Sequence, residues 1–520
     1  MKKRIPMEKG HFFISKFIQN KKWNRPIRKF SSLAWFPGAL ILSHLIPSPL
    51  IAHAFGQRYD LPLPLWLFIA GGALAVMVSF IIIALFARPP RENDASLKFN
   101  LLKSRIGKFL IHPIVIGLIR FVFTALFILI IAAGFWGSQN PLNNISIVMV
   151  WVIAWVGLAF ICALLGNFWA LINPWNTIFL YIGNGYRKIT GNNLSRHNKY
   201  PIKYGYLPAF VFFFCFAWLE INWSGSNTPS SVATALLVYS VFTFVGMWVY
   251  GRETWLKYGE CFTVVYSLFS RFSITEGRIN SEKREWFLRP PGIGLLREDK
   301  NLPEPTLVYF ILLLLSTVTY DGFTETETFQ KISLSYIEFA KDLTGKEIDA
   351  FAQSFFDTVA LLSFPIVFIL TYGFFIWLSA FMDEETKRTL ELARVFIFSI
   401  VPISIAYHLS HYISLLAIEG QLAIRLISDP FGFGWNLFNT SAYQTDITII
   451  SAKFVWYFSI ILIVIGHIIA VYVAHMEALR IYADRSQERY GTLISQIPMI
   501  VLMIGYTMLS LWIIAQPIVG

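Results

Sequence analysis

Long apolar stretches alternate with short polar gaps along almost the whole chain. A helix needs about 20 apolar residues to span the hydrocarbon of a bilayer. Eleven stretches approach that length: 31–52, 63–87, 114–136, 145–166, 205–223, 230–250, 305–321, 356–380, 395–418, 447–473 and 493–516. The gaps between them contain Pro, Gly, Asn and charged residues, which favour turns and loops. The pattern therefore predicts an all-α fold, a polytopic transmembrane helical bundle of ten or eleven spans.

The composition agrees with lipid as the main solvent of the chain. Hydrophobic residues make up 56% and charged residues only 14% of the 520 positions, whereas a soluble domain has about 25% charged residues. The 48 Phe and 17 Trp are typical of membrane spans and of the aromatic belts at their ends. The three cysteines form no CxxC motif and indicate no disulfide framework.

The charged residues predict an orientation. With residues 1–30 in the cytoplasm and alternating spans, almost all of the 43 Lys and Arg fall on the cytoplasmic side. The basic residues of the opposite side are Arg58, Lys331, Lys341, Lys346 and Arg425. This bias predicts a multi-pass protein of the inner cell membrane, with the N-terminus inside and the C-terminus outside. The net charge of +12 then faces anionic lipid and not nucleic acid.

Two parts of the chain qualify this picture. Residues 1–54 are basic, then apolar, and end in an Ala-His-Ala sequence, so they form either a cleaved signal peptide or the first transmembrane helix. Residues 55–520 are predicted to be a single membrane domain with two longer loops. The loop 251–304 is basic and cytoplasmic. The outer loop 322–355 is acidic, has helical spacing, and is expected to lie across the outer mouth as a cap or to be a solvated surface helix.

Polar residues within the spans indicate a site near the outer face. His408 and His411 are three residues apart, which places both on one face of a helix. Glu220 and Asp321 end two other predicted spans on the same side, and we consider both as catalytic carboxylates. Imidazole and carboxylate ligands suit Zn, Cu or Fe, and a bound metal activates water. The alternative is that each histidine only bonds a neighbouring helix.

A second set of polar residues lies toward the cytoplasmic side. His467 of the tenth span suggests a bis-histidine haem with the ninth span. The two histidines differ in depth by roughly 8 Å, which counts against a shared haem. Farther along the cytoplasmic side, Glu253 and Glu260 are expected to form ion pairs with the nearby Arg252 and Lys257.

Several segments resemble bacterial integral membrane proteins labelled fenitrothion hydrolase. They are AHAFGQRYDLPLPLWLF (52–68), NPW (173–175), FAWLE (216–220), YDGF (320–323), HYISLLAIEGQ (411–421) and SDPFGFGWNLF (428–438), together with the histidine of the tenth span. The resemblance implies hydrolysis of an organophosphate triester and supplies no catalytic residues. The long basic N-terminal extension departs from the pattern of these proteins.

Three functions are compatible with the sequence. The first is a metallohydrolase that opens outward, with metal ligands His408 and His411, carboxylates Asp321 and Glu220, and an apolar small-molecule substrate. The second is a transporter or permease whose buried polar residues line a path. The third is a redox or metal-handling membrane protein that binds haem or copper, for which His467 is a further ligand.

Overall fold

The computed structural model describes seven stretches of the chain. They are residues 62–87, 99–280, 283–296, 302–345, 350–382, 388–481 and 493–516. The predicted first span 31–52, the signal-peptide cleavage and the N-terminal segment 1–54 lie outside the described residues. Everything below concerns the described part of the chain.

Helices account for nearly all regular structure in that part. In chain order they are α1 (Leu65–Phe86), α2 (Arg105–Leu110), α3 (Pro113–Trp136), α4 (Ile145–Leu164), α5 (Trp169–Ile172), α6 (Pro174–Thr190), α7 (Leu207–Ile221), α8 (Pro229–Tyr250), α9 (Arg252–Tyr258), α10 (Cys261–Phe272), α11 (Pro305–Thr324), α12 (Glu327–Thr344), α13 (Ala350–Met382), α14 (Thr389–Leu426), α15 (Ala452–Ile481) and α16 (Ile497–Ile514). The two strands β1 (Thr275–Asn280) and β2 (Lys283–Leu288) form one antiparallel hairpin.

Nine of the described helices are long and apolar enough to cross a membrane. They are α1, α3, α4, α8, α11, α13, α14, α15 and α16. Each corresponds to one predicted span, which confirms the all-α bundle. The predicted span 205–223 is the shorter helix α7, whose 15 residues fall below that length.

Proline marks the start of many helices, as the sequence leads one to expect. Pro113, Pro174, Pro229 and Pro305 each occupy the first position of a helix. The first N–H groups of a helix have no partner within the helix, so proline, which has no N–H, loses no hydrogen bond there. Its fixed φ also suits the first turn. The helix boundaries therefore follow directly from local chemistry.

Two helices, α11 and α14, lie at the centre of the bundle, since most of their side chains are buried. They contact each other, and α14 also packs along α15. The closest approach of α14 and α15 is at Gly466, where an added Cβ would lie 2.4 Å from the Ala406 Cβ and 2.9 Å from the Pro402 carbonyl oxygen. Only glycine permits this contact.

Several elements interrupt the regular spans. Residues Val148–Gly157 of α4 are π-helical, and α14 contains short 3₁₀ turns at Ile397–Ser399 and Glu419–Gln421. Helix α10 is short, yet it packs inside the bundle against α4, α7 and α14. The β-hairpin follows α10, and the Thr275 hydroxyl donates to the Leu165 carbonyl oxygen just after α4.

These contacts define two ends of the bundle. The histidine end is where α11 ends at Thr324 and the second half of α14 reaches Ile418. The hairpin end is where β1 and β2 meet the end of α4 and where α11 begins at Pro305. At the histidine end, α12 packs on neighbouring spans, since Phe329 contacts Tyr320 and Tyr336 stacks on Phe356.

Candidate functional site

His411 of α14 and Asp321 of α11 meet at the histidine end. The His411 Nε2 atom lies 3.0 Å from Asp321 Oδ2, and the two side chains are 7% and 13% exposed. Asp321 lies in the last turn of α11, so the pair joins the two central helices. The structure thus brings together two of the residues that the sequence singled out, one from each of two separate spans.

Tyr412 completes a triad around the same carboxylate oxygen. Its hydroxyl donates a hydrogen bond of 2.5 Å to Asp321 Oδ2, and its ring contacts that of His411 at 4.7 Å between centroids. Asp321, His411 and Tyr412 are called the Asp321 triad from here on. Both bonds converge on one carboxylate oxygen, so the triad is a compact polar unit inside an apolar bundle.

His408 lies one turn away from His411 in an aromatic cage. The side chain is 1% exposed, and its ring contacts Trp155 at 4.9 Å, Phe269 at 5.7 Å and Tyr412 at 4.7 Å between centroids. Within the described residues the buried Nε2 atom has no hydrogen-bond partner. A buried nitrogen without a partner costs free energy, so this atom is a candidate ligand atom.

Glu220 adds a second carboxyl group to the site. It lies in the last turn of α7, is half-buried, and interacts electrostatically with Asp321. Trp155, from the π-helical segment of α4, contacts the His408 ring at 4.9 Å between ring centroids. Short π-helical segments within α-helices are frequent at functional sites. In this protein the π-helical segment of α4 supplies a wall of the site.

Gly322 shows how tightly the site is packed. An added Cβ at this position would lie 2.4 Å from the Tyr407 hydroxyl oxygen. That hydroxyl is buried and has no hydrogen-bond partner within the described residues. In the YDGF segment, Asp321 therefore supplies a polar side chain, and Gly322 beside it allows α14 to approach α11 closely.

His467 lies apart from this site. Its Nδ1–H donates to the Ile463 carbonyl oxygen at 2.8 Å within α15. Its neighbour Gly466 packs directly on Pro402 and Ala406 of α14. His408 and His467 thus have different surroundings, one an aromatic cage and the other a helix interface.

The predicted metal ligands His408 and His411 differ in their surroundings. Over the stretches that the structure describes, no group of three or more His, Cys, Asp or Glu side chains is placed to hold a metal ion. His411 and Asp321 instead bond each other. Of the predicted donors, the described structure therefore brings only His411 and Asp321 into direct contact.

The sequence did not predict that Glu260 is a second buried carboxylate. It was expected to pair with Lys257 or Arg252, and that expectation is wrong. Glu260 is fully buried and accepts six hydrogen bonds, none of them from a Lys or Arg. The sequence signal was its position immediately before the apolar helix α10, where an N-cap belongs.

The donors to Glu260 come from four elements. They are the backbone N–H groups of Phe262 and Thr263, the hydroxyls of Tyr239 and Thr263, the Trp169 indole and the Asn173 amide. These residues are called the Glu260 cluster. Asn173 also caps α6 by accepting from the Asn176 N–H at 2.9 Å. The Asn-Pro-Trp segment therefore joins the starts of α6 and α10.

Comparison with known proteins adds no further assignment. No protein-family model, no curated protein and no solved structure matches the chain. The resemblance to fenitrothion hydrolase therefore depends on the quoted segments alone.

Proposed function

We propose that the chain is a proton-coupled membrane transporter and that the Asp321 triad is its proton-binding site. The observation that carries the proposal is the carboxylate of Asp321, held between the two central helices by a histidine and a tyrosine. Both partners exchange protons. Titratable residues inside membrane bundles are costly and mark proton or substrate pathways.

The helix geometry supports a protein that changes conformation. The central helix α14 contains two 3₁₀ turns, and α4 contains a π-helical segment beside the triad. Interrupted spans are the elements that line binding sites in transporters. Protonation of Asp321 weakens its bonds to His411 and Tyr412, and those bonds join α11 to α14. The proton thereby biases the contact between the central helices.

The orientation follows from charge. Among the described residues, basic side chains are concentrated at the hairpin end, and under the positive-inside rule we infer that this end faces the cytoplasm. The Asp321 triad then lies near the outer face of the inner cell membrane. Protons from outside reach the triad first, as inward proton-driven uptake requires.

Reconstituted protein tests the proposal. Liposomes carrying the protein and an entrapped pH-sensitive dye are exposed to a panel of carboxylates, amines, sugars and aryl phosphotriesters. We expect at least one class to drive proton entry, and Asp321→Asn to abolish it. The matched control Tyr407→Phe, which removes a neighbouring hydroxyl without a hydrogen-bond partner in the described chain, keeps the flux. Absence of proton movement with every class contradicts the proposal.

A second candidate is the phosphotriester hydrolase that the sequence suggested. The observation in its favour is the buried His408 Nε2 atom, which has no partner among the described residues and lies one turn from His411. In this candidate His408 and His411 would hold a metal ion, and Asp321 or Glu220 would accept a proton from water. A bound metal supplies a nucleophilic hydroxide at neutral pH.

Metal content separates the two candidates. Elemental analysis and aryl phosphotriester hydrolysis are measured for the wild type and for the double variant His408→Ala/His411→Ala. The hydrolase candidate expects both stoichiometric metal and hydrolysis to disappear in the variant. Wild type that binds no metal and hydrolyses no triester eliminates it.

A further inference from the structure

Helix α12 lies at the histidine end between α11 and α13 along the chain, and it is not one of the helices that are long and apolar enough to cross a membrane. Its first turn packs on α11, since Phe329 contacts Tyr320 and Phe323 at 6.0 and 5.7 Å between ring centroids. Farther along, Tyr336 stacks on Phe356 of α13 at 4.7 Å. Phe329 and Tyr336 are seven residues apart, so one side of α12 faces the bundle.

The charged residues of α12 lie on the side away from the bundle. Spacings of four and seven residues place four exposed charged residues on one face, namely Glu327, Lys331, Glu338 and Asp342. Lys331 pairs with Glu327 at 2.7 Å, and both side chains are largely exposed. With 3.6 residues per turn, this face lies opposite the side that packs on the bundle. Water is therefore the natural surrounding of the charged face.

Three large apolar residues of α12 lie beside the packed side, yet they are exposed. They are Ile332, Phe339 and Leu343, with exposed fractions of 48%, 65% and 73%. Their spacing of seven and four residues places them on one line along the helix, and they are called the α12 strip from here on. A continuous exposed apolar surface marks contact with a membrane or with another protein.

The lipid-facing surface of α13 leads to the α12 strip. Helix α13 is apolar enough to cross a membrane, and exposed apolar residues follow one another along it at intervals of three or four, namely Phe355, Val359, Leu362 and Ile366. Phe351, which is 71% exposed, extends this line by one turn toward the start of α13. At that turn the Tyr336 hydroxyl of α12 donates to the Ala352 carbonyl oxygen at 3.4 Å. The α12 strip therefore adjoins a surface that lipid covers, which favours lipid over a protein partner.

We propose that α12 is an interfacial helix whose apolar strip inserts into the lipid leaflet at the histidine end. A helix with one charged face and one face of large apolar residues lies in the plane of the interface, with its apolar face about 5–10 Å into the boundary of headgroups and acyl chains. The charged face then stays in water while the α12 strip contacts lipid. Because Phe329 packs on the residues that flank Asp321 in α11, the lipid surface also holds that turn through α12.

Leu334 offers a matched control on the same helix. It is 59% exposed, close to the 65% of Phe339. It lies three residues after Lys331 and four before Glu338, so it belongs to the charged face. Phe339 and Leu334 are therefore two exposed apolar residues of one helix, of which the first is expected in lipid and the second in water.

Spin labels on the full chain in liposomes test the inference. The background is Cys215→Ser, because Cys215 is exposed whereas the other two cysteines are buried. Labels are attached through Phe339→Cys, Leu343→Cys or, as the control, Leu334→Cys. Oxygen dissolves in the hydrocarbon and a nickel chelate stays in water, so the ratio of their collision rates reports the surroundings of each label. We expect a ratio at least about threefold higher at positions 339 and 343 than at position 334, as insertion below the headgroups requires.

A charge placed on each face gives a second, independent test. Phe339→Asp puts a carboxylate into the lipid contact, so hydrogen exchange of the α12 amides in liposomes is expected to accelerate at least about fivefold. Leu334→Asp puts the same charge into water and is expected to keep wild-type exchange. Both side chains are exposed, so neither substitution disturbs the core of the bundle.

Three results overturn the inference. Nickel collisions at positions 339 and 343 that equal those at position 334 show a helix that water surrounds on both faces. Labels at 339 and 343 that are shielded from both oxygen and nickel show that a protein surface, such as a second copy of the chain, covers the α12 strip. Equal exchange in Phe339→Asp and Leu334→Asp shows that neither face prefers lipid.

Discussion

Asp321 and Glu260 are two carboxylates inside the same helical bundle, but their partners differ in kind. Asp321 is held by a histidine and a tyrosine from the facing helix. Glu260 is held mainly by backbone amides, an indole, a side-chain amide and hydroxyls at the start of α10. The proposed function assigns proton exchange to the first set, which contains a histidine, whereas the second set fixes a helix terminus. Burial alone therefore does not distinguish a functional carboxylate from a structural one.

The largest expected effect is on the stability of the Glu260 cluster. Glu260→Ala removes six hydrogen bonds, among them those of two N–H groups at the N-terminus of α10. Trp169 and Asn173 keep a second acceptor, the Thr263 hydroxyl. Each buried donor that loses its partner costs about 1–3 kcal/mol, so we expect a total loss of at least about 3 kcal/mol. Thermal unfolding in detergent measures the loss.

A nearby glutamate provides the control for this substitution. Glu253 lies on α9, pairs with Arg252 at 3.3 Å and has a side chain that is 90% exposed. Glu253→Ala is expected to leave the unfolding temperature unchanged, because exposed ion pairs contribute little. Similar losses for the two variants contradict the structural role of Glu260.

The second prediction compares two tyrosines that donate to the two carboxylates. Tyr239 donates to Glu260 at 2.7 Å, and Tyr412 donates to Asp321 at 2.5 Å. A hydrogen bond to a charged group contributes about 1.5–3 kcal/mol, so both Tyr→Phe variants lose stability. Only Tyr412→Phe is expected to impair proton flux in liposomes. Tyr407→Phe, whose hydroxyl has no partner in the described chain, serves as the control for both measurements.

If Tyr239→Phe stops proton flux and Tyr412→Phe does not, the roles of the two carboxylates are reversed. Equal loss of flux in both variants means that protons pass through both clusters. The flux assay thus decides the comparison, and the stability assay only shows that each hydroxyl is bonded.

The sequence predicted the architecture better than the site. Apolar length located ten helices in the described residues, because that signal is local, but only nine of them are long enough to cross a membrane and the tenth is the shorter α7. The pairing of His411 with Asp321 was an assumption about two helices that are 90 residues apart, and no local signal sets that contact. Glu260 was misassigned because Lys257 and Arg252 are close in sequence, whereas its actual partners are as distant as Trp169.

A neutral residue at the histidine end gives the third prediction. Gln421 bonds the following loop three times, to the Tyr443 hydroxyl at 2.9 Å, the Asp446 N–H at 3.0 Å and the Asp446 carbonyl at 3.0 Å. Gln421→Leu removes these bonds and is expected to lower the local stability of the loop by about 1–3 kcal/mol. Hydrogen exchange of residues 443–446 should accelerate, while proton flux is retained.

Gln421 is buried and polar, as Asp321 and Glu260 are, but unlike those two carboxyl groups it does not titrate. Loss of proton flux in Gln421→Leu contradicts the view that exchangeable partners mark the functional residues at this end. Unchanged exchange in the loop contradicts the role of Gln421 in fixing it.

The smallest effect concerns Asp446, an exposed carboxylate in that loop. Its side chain accepts from the Thr448 hydroxyl at 2.6 Å and from the Thr448 N–H at 2.8 Å, and these bonds lower the pKa of Asp446 below its usual range. The carboxylate therefore stabilises the folded loop above the pKa of the unfolded chain. That contribution is lost as the pH falls through the lower, folded-state pKa.

Thr448→Val removes the hydroxyl donor and should raise the pKa of Asp446 toward its ordinary value. Titration of carboxyl resonances in ¹³C-aspartate-labelled protein measures the change, and Asp446→Asn identifies the signal. The effect on stability is small because solvent screens an exposed group. An unchanged titration shows that the Thr448 N–H alone sets the pKa of Asp446. A response of the Asp321 signal to Thr448→Val shows that the loop and the triad are coupled, and the triad is then not an isolated site within the bundle.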